Sequence, residues 1–219
     1  MPRLLFEKVG NSIWISHLDL MRIFQRAFKR GKLPLKHTQG FNPRPSVSIA
    51  LPLSVGVCSK CELLDFELDN CEVPYEEIKN RLNQHLISGI SVSDVYDGGR
   101  KIRDLSLLNC VITLEYDNGV PCDADRKVTM LFNSEALTVP KKTKSGIQDQ
   151  DIIPMIRRIA VRRTGEKTLE IAATICCQNP TLNPMQLSLA VDMYLPELKA
   201  DFTSCRRVEV LDLDENIFR

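Results

Sequence analysis

Two periodicities of apolar and polar positions run through the first half of the chain, and they predict its elements. Leu4 to Val9 reads as a strand. Ser16 then stands as an N-cap with Asp19 at N3, close to a capping box, and the spacing predicts a helix from His17 to Arg30 that stops at Gly31. A long loop follows, carrying Pro34, Gly40, Pro43 and Pro45. Ser46–Leu51 and Leu63–Leu68 read as strands. Pro74 occupies a helix N1 position, and Tyr75–Leu86 places Ile78, Leu82 and Leu86 on one face. Ile90–Val95 is a fourth strand. The predicted order is β-α-β-β-α-β.

The second half is expected to repeat that order. Leu108–Glu115 is a strand, and Cys122–Phe132 is a helix with Ala124, Val128, Leu131 and Phe132 on one face. Ala136–Val139 is a strand, and Lys141, Lys142, Lys144 and Gly146 fall in a basic loop. Ile156–Val161 and Thr168–Ile175 form a hairpin around Thr164–Lys167. Asn183-Pro184 starts a helix as N-cap and N1, running to Tyr194, and Arg206–Leu213 closes the half. The expected fold class is α+β, with tandem ferredoxin-like (βαββαβ) halves and antiparallel sheets. A polar junction, Asp97–Asp104, separates residues 1–98 from residues 105–219.

Composition narrows the classes without naming one. Hydrophobic residues make up 43% and charged residues 26%, an ordinary globular profile that excludes disordered and fibrous chains. No apolar run approaches the roughly 18 residues that a membrane span needs. Glu7 interrupts the N-terminal apolar stretch too early for a secretory segment, so a cytoplasmic chain is expected. Its eight cysteines are then thiols. Cys58 and Cys61 form a lone C-x-x-C with Cys71 beyond it, and Cys176-Cys177 is adjacent rather than spaced. A zinc site needs four ligands, so neither a metal nor a cofactor is expected.

With 29 basic and 28 acidic residues the net charge is +1, so the chain as a whole is no polyanion binder. Local clustering changes that picture. At 100° per residue, Leu20, Met21, Phe24, Ala27 and Phe28 share one side of the first helix, with His17 among them. Arg22, Arg26, Lys29 and Arg30 form a basic stripe opposite. The following loop adds Lys32, Lys36, His37 and Arg44, and its Gln39-Gly40-Phe41-Asn42 run offers an aromatic ring for stacking on a base. A solvated helix face explains the stripe alone; the loop's composition favours a binding role. Of the histidines, His17 lies on the apolar face and His85 near a core edge, whereas His37 is exposed in the basic loop. No Ser-His-Asp arrangement, P-loop, GxGxxG or HExxH accompanies them.

The run Ile15-Ser16-His17-Leu18-Asp19-Leu20-Met21-Arg22, then Arg26–Arg30, Leu33-Pro34, Gln39–Pro45, Ala50–Leu53 and Gly56-Val57, resembles the radical SAM-linked protein family. That is a bacterial domain of unknown function that occurs beside, or fused to, a cobalamin-binding radical SAM protein. Asp151–Pro154 and Asn183-Pro184 extend the resemblance more weakly. It implies a radical SAM protein as partner, and the Cys58–Cys61 pair departs from the family pattern. The chain lacks a Cys-x-x-x-Cys-x-x-Cys cluster motif, so it is not itself the radical SAM enzyme. The paired halves also look like CRISPR repeat-processing endonucleases and a family of tRNA pseudouridine synthases, but the Gly-rich C-terminal loop of the first and the Arg-Thr-Asp motif of the second are missing. Three readings stay open: a non-catalytic RNA-binding accessory, a protein-interaction module, and a metal-independent ribonuclease or RNA-modifying enzyme with His17 or His37 as general base.

Overall fold

The computed structural model describes residues 1–69, 72–143 and 146–219. Cys71, Lys144 and Ser145 lie outside the described residues. The fold is mixed α+β, and the chain divides into two compact units: residues 1–104 with Arg219, and residues 105–218.

The first unit runs β1 (Pro2–Lys8), α1 (His17–Arg30), β2 (Val47–Ile49), β3 (Val57–Phe66), α2 (Tyr75–Asn83) and β4 (Ile90–Asp97). Its strands lie in the order β4-β1-β3-β2, each pair antiparallel, with Leu4 opposite both Leu64 and Val95. Helix α1 buries Leu20, Phe24, Ala27 and Phe28 on this sheet. Phe24 meets Phe6 edge-on with ring centroids 4.7 Å apart, and Phe28 meets Phe66 at 5.0 Å. Burial of each such ring stabilises by about 1.5–3 kcal/mol, so these rings set the roll of α1 about its axis.

Both ends of α1 are specified. Ser16 Oγ accepts the Asp19 N–H (3.2 Å) and donates to the Asp19 carboxylate (2.8 Å), satisfying an otherwise orphaned donor of the first turn. Just before the cap, the buried Lys8 Nζ donates to the carbonyls of Ile13 (3.0 Å) and Ile15 (2.7 Å) and so ties β1 to the entry of the helix. At the far end the sequence predicts Gly31 as the left-handed stop. Gly31 instead keeps φ −72°, and Lys32 takes the left-handed position at φ 53°. The Leu33 N–H then donates to the Phe28 carbonyl (2.9 Å), and both side chains are buried, the pattern of a Schellman close. Space at 31 is tight: a Cβ there would stand 3.2 Å from the Ala27 carbonyl oxygen and 3.4 Å from Arg81 Cβ of α2.

Helix α2 ends at Asn83, short of the expected Leu86, with Pro74 as cap rather than first residue. The Asn83 amide exchanges two hydrogen bonds with the Val92 backbone, 2.9 and 2.7 Å, which docks the helix end on β4 and stops it there. Strand β3 starts at Val57, well before the expected Leu63, and so takes in Cys58 and Cys61.

The second unit runs β5 (Leu107–Glu115), α3 (Ala124–Phe132), β6 (Thr138–Thr143), β7 (Gly146–Asp151), β8 (Ile156–Arg163), β9 (Thr168–Cys176), α4 (Met185–Tyr194) and β10 (Phe202–Leu211). Its main sheet has the order β10-β5-β9-β8, again antiparallel within the unit, while β6 and β7 pair apart from it. The expected basic loop is therefore corrected. Lys141 and Lys142 sit in β6 opposite Gln148 and Ile147, and Gly146 opens β7. The hairpin is an addition between α3 and β8, so the second half does not simply repeat the first. Asp151 secures its return: its carboxylate accepts the N–H groups of Leu137 (2.9 Å) and Ile153 (3.1 Å). Helix α4 starts as the spacing predicts, give or take one residue, with the Asn183 side chain accepting the Met185 N–H (3.1 Å). Among the described residues no helix is long and apolar enough to cross a membrane.

Candidate nucleic-acid interface

The basic stripe and the loop after it meet at one groove in the first unit. Arg22, Arg26 and Lys29 leave the outer face of α1 at spacings of four and three residues, so they stack along one side. Phe28, Leu33 and Leu35 give the groove an apolar floor, and His37 and Pro45 stand on its opposite wall. The cavity is about 600 Å³, large enough for a nucleotide-sized group. Arg30, on the last turn of α1, is exposed but does not line it.

The far wall is an ordered arm rather than a slack loop. The Lys36 N–H donates to the Glu67 carbonyl (2.9 Å), and the Asp69 N–H donates to the Pro34 carbonyl (2.8 Å), which fastens the arm's base beside β3. His37 bridges Pro45, the Thr38 N–H donates to the Arg44 carbonyl (2.8 Å), and the Arg44 N–H donates back to Thr38 Oγ1 (3.0 Å). The rungs leave Gln39, Gly40, Phe41 and Asn42 at the tip. Gly40 has φ 135°, a conformation that side-chain-bearing residues rarely adopt, and it turns the tip back. Phe41 is 106% exposed: its ring is held out in solvent with nothing packed against it.

Charges in this region divide by partner. Arg22 is paired with Asp19 at 2.9 Å and Lys36 with Glu67 at 3.2 Å. The Ser16 hydroxyl and then the Arg22 guanidinium hold the Asp19 carboxyl below its ordinary value. Among the described residues, Arg26, Lys29, Arg30 and Arg44 carry no ion pair, so their charge is available to a polyanion.

The structure separates the other sequence candidates. His17 is half-buried at the start of α1, with Nδ1 shielded from solvent and, among the described residues, without a hydrogen-bond partner. His37 is exposed on the groove wall, and among the described residues no side chain orients its ring. Cys58 is half-buried and Cys61 buried, both in β3. Among the described residues no group of three His, Cys, Asp or Glu side chains could hold a metal. Sequence reasoning missed Gln25, Leu35 and Asp69, which also line the groove. The bridge between Leu35 and Leu68 and the hydrogen bond from the Asp69 N–H to the Pro34 carbonyl bring the last two there, and helical periodicity carries no signal for either.

A family described as "Uncharacterized protein conserved in bacteria (DUF2344)" matches residues 2–184. This chain belongs to that family. The match spans the whole groove and arm and reaches to the Asn183-Pro184 start of α4. No curated protein matches the chain. Among solved structures, this DUF2344 member is similar to a crystal structure of a Cbf5-Nop10-Gar1 complex at 9% identity, covering 95% of this chain and 48% of that one, with a TM-score of 0.49. A structure of an H/ACA RNP bound to a substrate RNA containing 2′-deoxyuridine matches at 9% identity, covering 94% and 46%, with a TM-score of 0.48. The chain spans about half the length of these two. An unknown protein from Galdieria sulphuraria matches at 11% identity over 94% of this chain and 97% of that one, with a TM-score of 0.26. At these TM-scores the likenesses decide neither fold nor function.

Proposed function

We propose that this DUF2344 protein is a non-catalytic, cytoplasmic RNA-binding accessory that presents RNA to a radical SAM partner. The carrying observation is the groove. Arg26 and Lys29, in no ion pair among the described residues, stand over an apolar floor, and the Phe41 ring projects from the adjoining arm. Guanidinium and ammonium groups hold phosphates, and an exposed aromatic ring stacks on an unpaired base. Support for the partner comes from the resemblance of the Ile15–Val57 run to radical SAM-linked proteins; the family match itself names no partner. Strand orders β4-β1-β3-β2 and β10-β5-β9-β8 support reading each unit as ferredoxin-like, the second with the β6–β7 hairpin inserted.

Crosslinking and sequencing of RNA bound in cells tests the reading, with Arg22→Glu/Arg26→Glu/Arg30→Glu as control. A defined RNA set is expected for the wild type, lost in the variant, with affinity that falls steeply as salt rises. Absence of crosslinked RNA, or salt-independent binding, rejects it. A second reading, a protein-docking module, draws on the unpacked Phe41 ring. A complex with the radical SAM protein that survives nuclease treatment and is lost in Phe41→Ala favours that reading.

A further inference from the structure

Strand β8 reads Ile156-Arg157-Arg158-Ile159-Ala160-Val161-Arg162-Arg163, and all four of its arginines are exposed. It ends the strand order of the second unit's sheet and pairs with β9. Adjacent strand residues point to opposite faces, so arginine doublets alone would scatter charge over both. By that alternation Arg158, Ala160 and Arg162 share one face, and Arg163, opposite the buried Leu169, takes the other. The register shifts between Ile156, opposite Ile175, and Arg158, opposite Thr174. Arg157 is thereby extra, and Arg158, Ala160 and Arg162 fall on the face opposite that of Ile156. The other face of β9 buries Leu169, Ile171 and Ile175.

The same open face continues across the sheet. Ala160 is opposite Ala172, which is opposite Val111 of β5, which is opposite the exposed Arg206 of β10. A shallow cavity of about 560 Å³ lies on it, floored by Val111, Ala160 and Ala172 and edged by Arg158 and Thr174. Edge strands carry charge to prevent unwanted pairing, which accounts for one or two of these arginines. It does not account for Arg206, on a different strand of the same face. Local compensation is partial. Arg158 pairs with Glu215, Arg162 lies opposite Glu170, and Arg163 donates to the Gly165 and Glu166 carbonyls (3.2 Å each). Among the described residues Arg157 and Arg206 have no carboxylate partner.

We propose that this open face of the second unit is a separate phosphate-binding surface that takes the sugar–phosphate backbone of single-stranded RNA without reading its bases. Three features select that ligand. The guanidinium fork matches phosphate in a bidentate way. Arg158 and Arg162, four residues apart, stand about 13 Å from each other along the strand, so they engage different phosphates of one strand. The cavity floor is made of small aliphatic side chains, which read no base edge, and the exposed Phe202 ring, on the same side of β10 as Arg206, offers only stacking that every base accepts. An acidic peptide would add along the edge of β8 instead, and the cavity lies on the face.

The test is a fluorescence-anisotropy titration of the full chain against a labelled polyuridine of about 20 nucleotides, repeated across salt concentrations. Arg158→Gln/Arg162→Gln/Arg206→Gln is expected to weaken binding at least tenfold and to flatten the log-affinity against log-salt slope by about 2, three contacts at about 0.7 each. The matching Arg→Lys set is expected to keep the slope while losing part of the affinity, because charge stays and the fork goes. Thermal melts at the wild-type temperature certify the fold of each. Wild-type affinity and slope in the folded Gln variant overturn the proposal, as does a wild type that binds no polyuridine. Arg26→Glu/Lys29→Glu separates the two surfaces. Loss of binding there alone overturns this proposal and leaves the groove, whereas loss in the β8 set alone upholds it and rejects the groove.

Discussion

Helix α1 and strand β8 each present four basic side chains, but they hold them by different means. On α1, Arg22, Arg26, Lys29 and Arg30 share a face because their spacings follow the helical turn, and the helix is held in place by side-chain packing: Phe24 on Phe6, Phe28 on Phe66. On β8 the arginines sit on a backbone ladder to β9, and alternation puts Arg158 and Arg162 on one face and Arg163 on the other. The first surface is as stable as an aromatic core beneath it. The second depends on backbone pairing, to which the arginine side chains themselves contribute little. Substitutions under the two surfaces should therefore act differently, and three of them probe the helix side.

The largest effect is expected from Phe24→Ala. A fully buried ring leaves a cavity, and such truncations cost about 3–5 kcal/mol. Urea unfolding should show that loss; a change below about 1 kcal/mol would mean that α1 does not depend on its aromatic core. Ser16→Ala comes next. It removes the acceptor of the Asp19 N–H and should lower stability by about 1 kcal/mol, within the usual range for caps, while leaving the salt dependence of polyuridine binding unchanged. A changed salt slope in this variant would show that the cap also sets the stripe's geometry.

The smallest effect is one of pH. Asp19 is held below its ordinary value of 3.8 by Ser16 and Arg22. A depressed carboxylate stabilises the fold above its unfolded value, and that contribution is lost as pH falls through the folded one. Asp19→Asn should thus melt slightly below the wild type at neutral pH, and the gap should close as pH falls below about 3.8. A gap that persists unchanged in acid would assign the difference to the lost hydrogen bonds rather than to the charge. At β8, none of these three changes is expected to alter the contribution of Arg158, Arg162 and Arg206.

Much of the helix side was legible in the chain. Ser16, Asp19 and the apolar spacing predict His17–Arg30, and the structure has that span. The basic stripe followed from the same spacing. Its stop at Gly31 is as the sequence predicts, and the left-handed turn that closes it falls one residue later, on Lys32. Lys141 and Lys142 looked like loop residues because charge next to glycine is a turn signal, and pairing with Gln148 and Ile147 makes them a strand. Cys58 and Cys61 lie in β3, which starts six residues before the strand that their stretch predicts.

By itself, the amino-acid sequence determined the α1 platform: one turn repeats every 3.6 residues, so spacing along the chain is already position in space. It also determined which caps open α1 and α4, since capping is chemistry between near neighbours. Tertiary structure decided the groove wall that brings Asp69 beside α1, the ordered arm that holds Phe41 in solvent, and the face on which Arg158 and Arg162 meet Arg206. Those depend on register and on contacts between distant segments, and a one-residue shift in a strand turns every side chain to the other side.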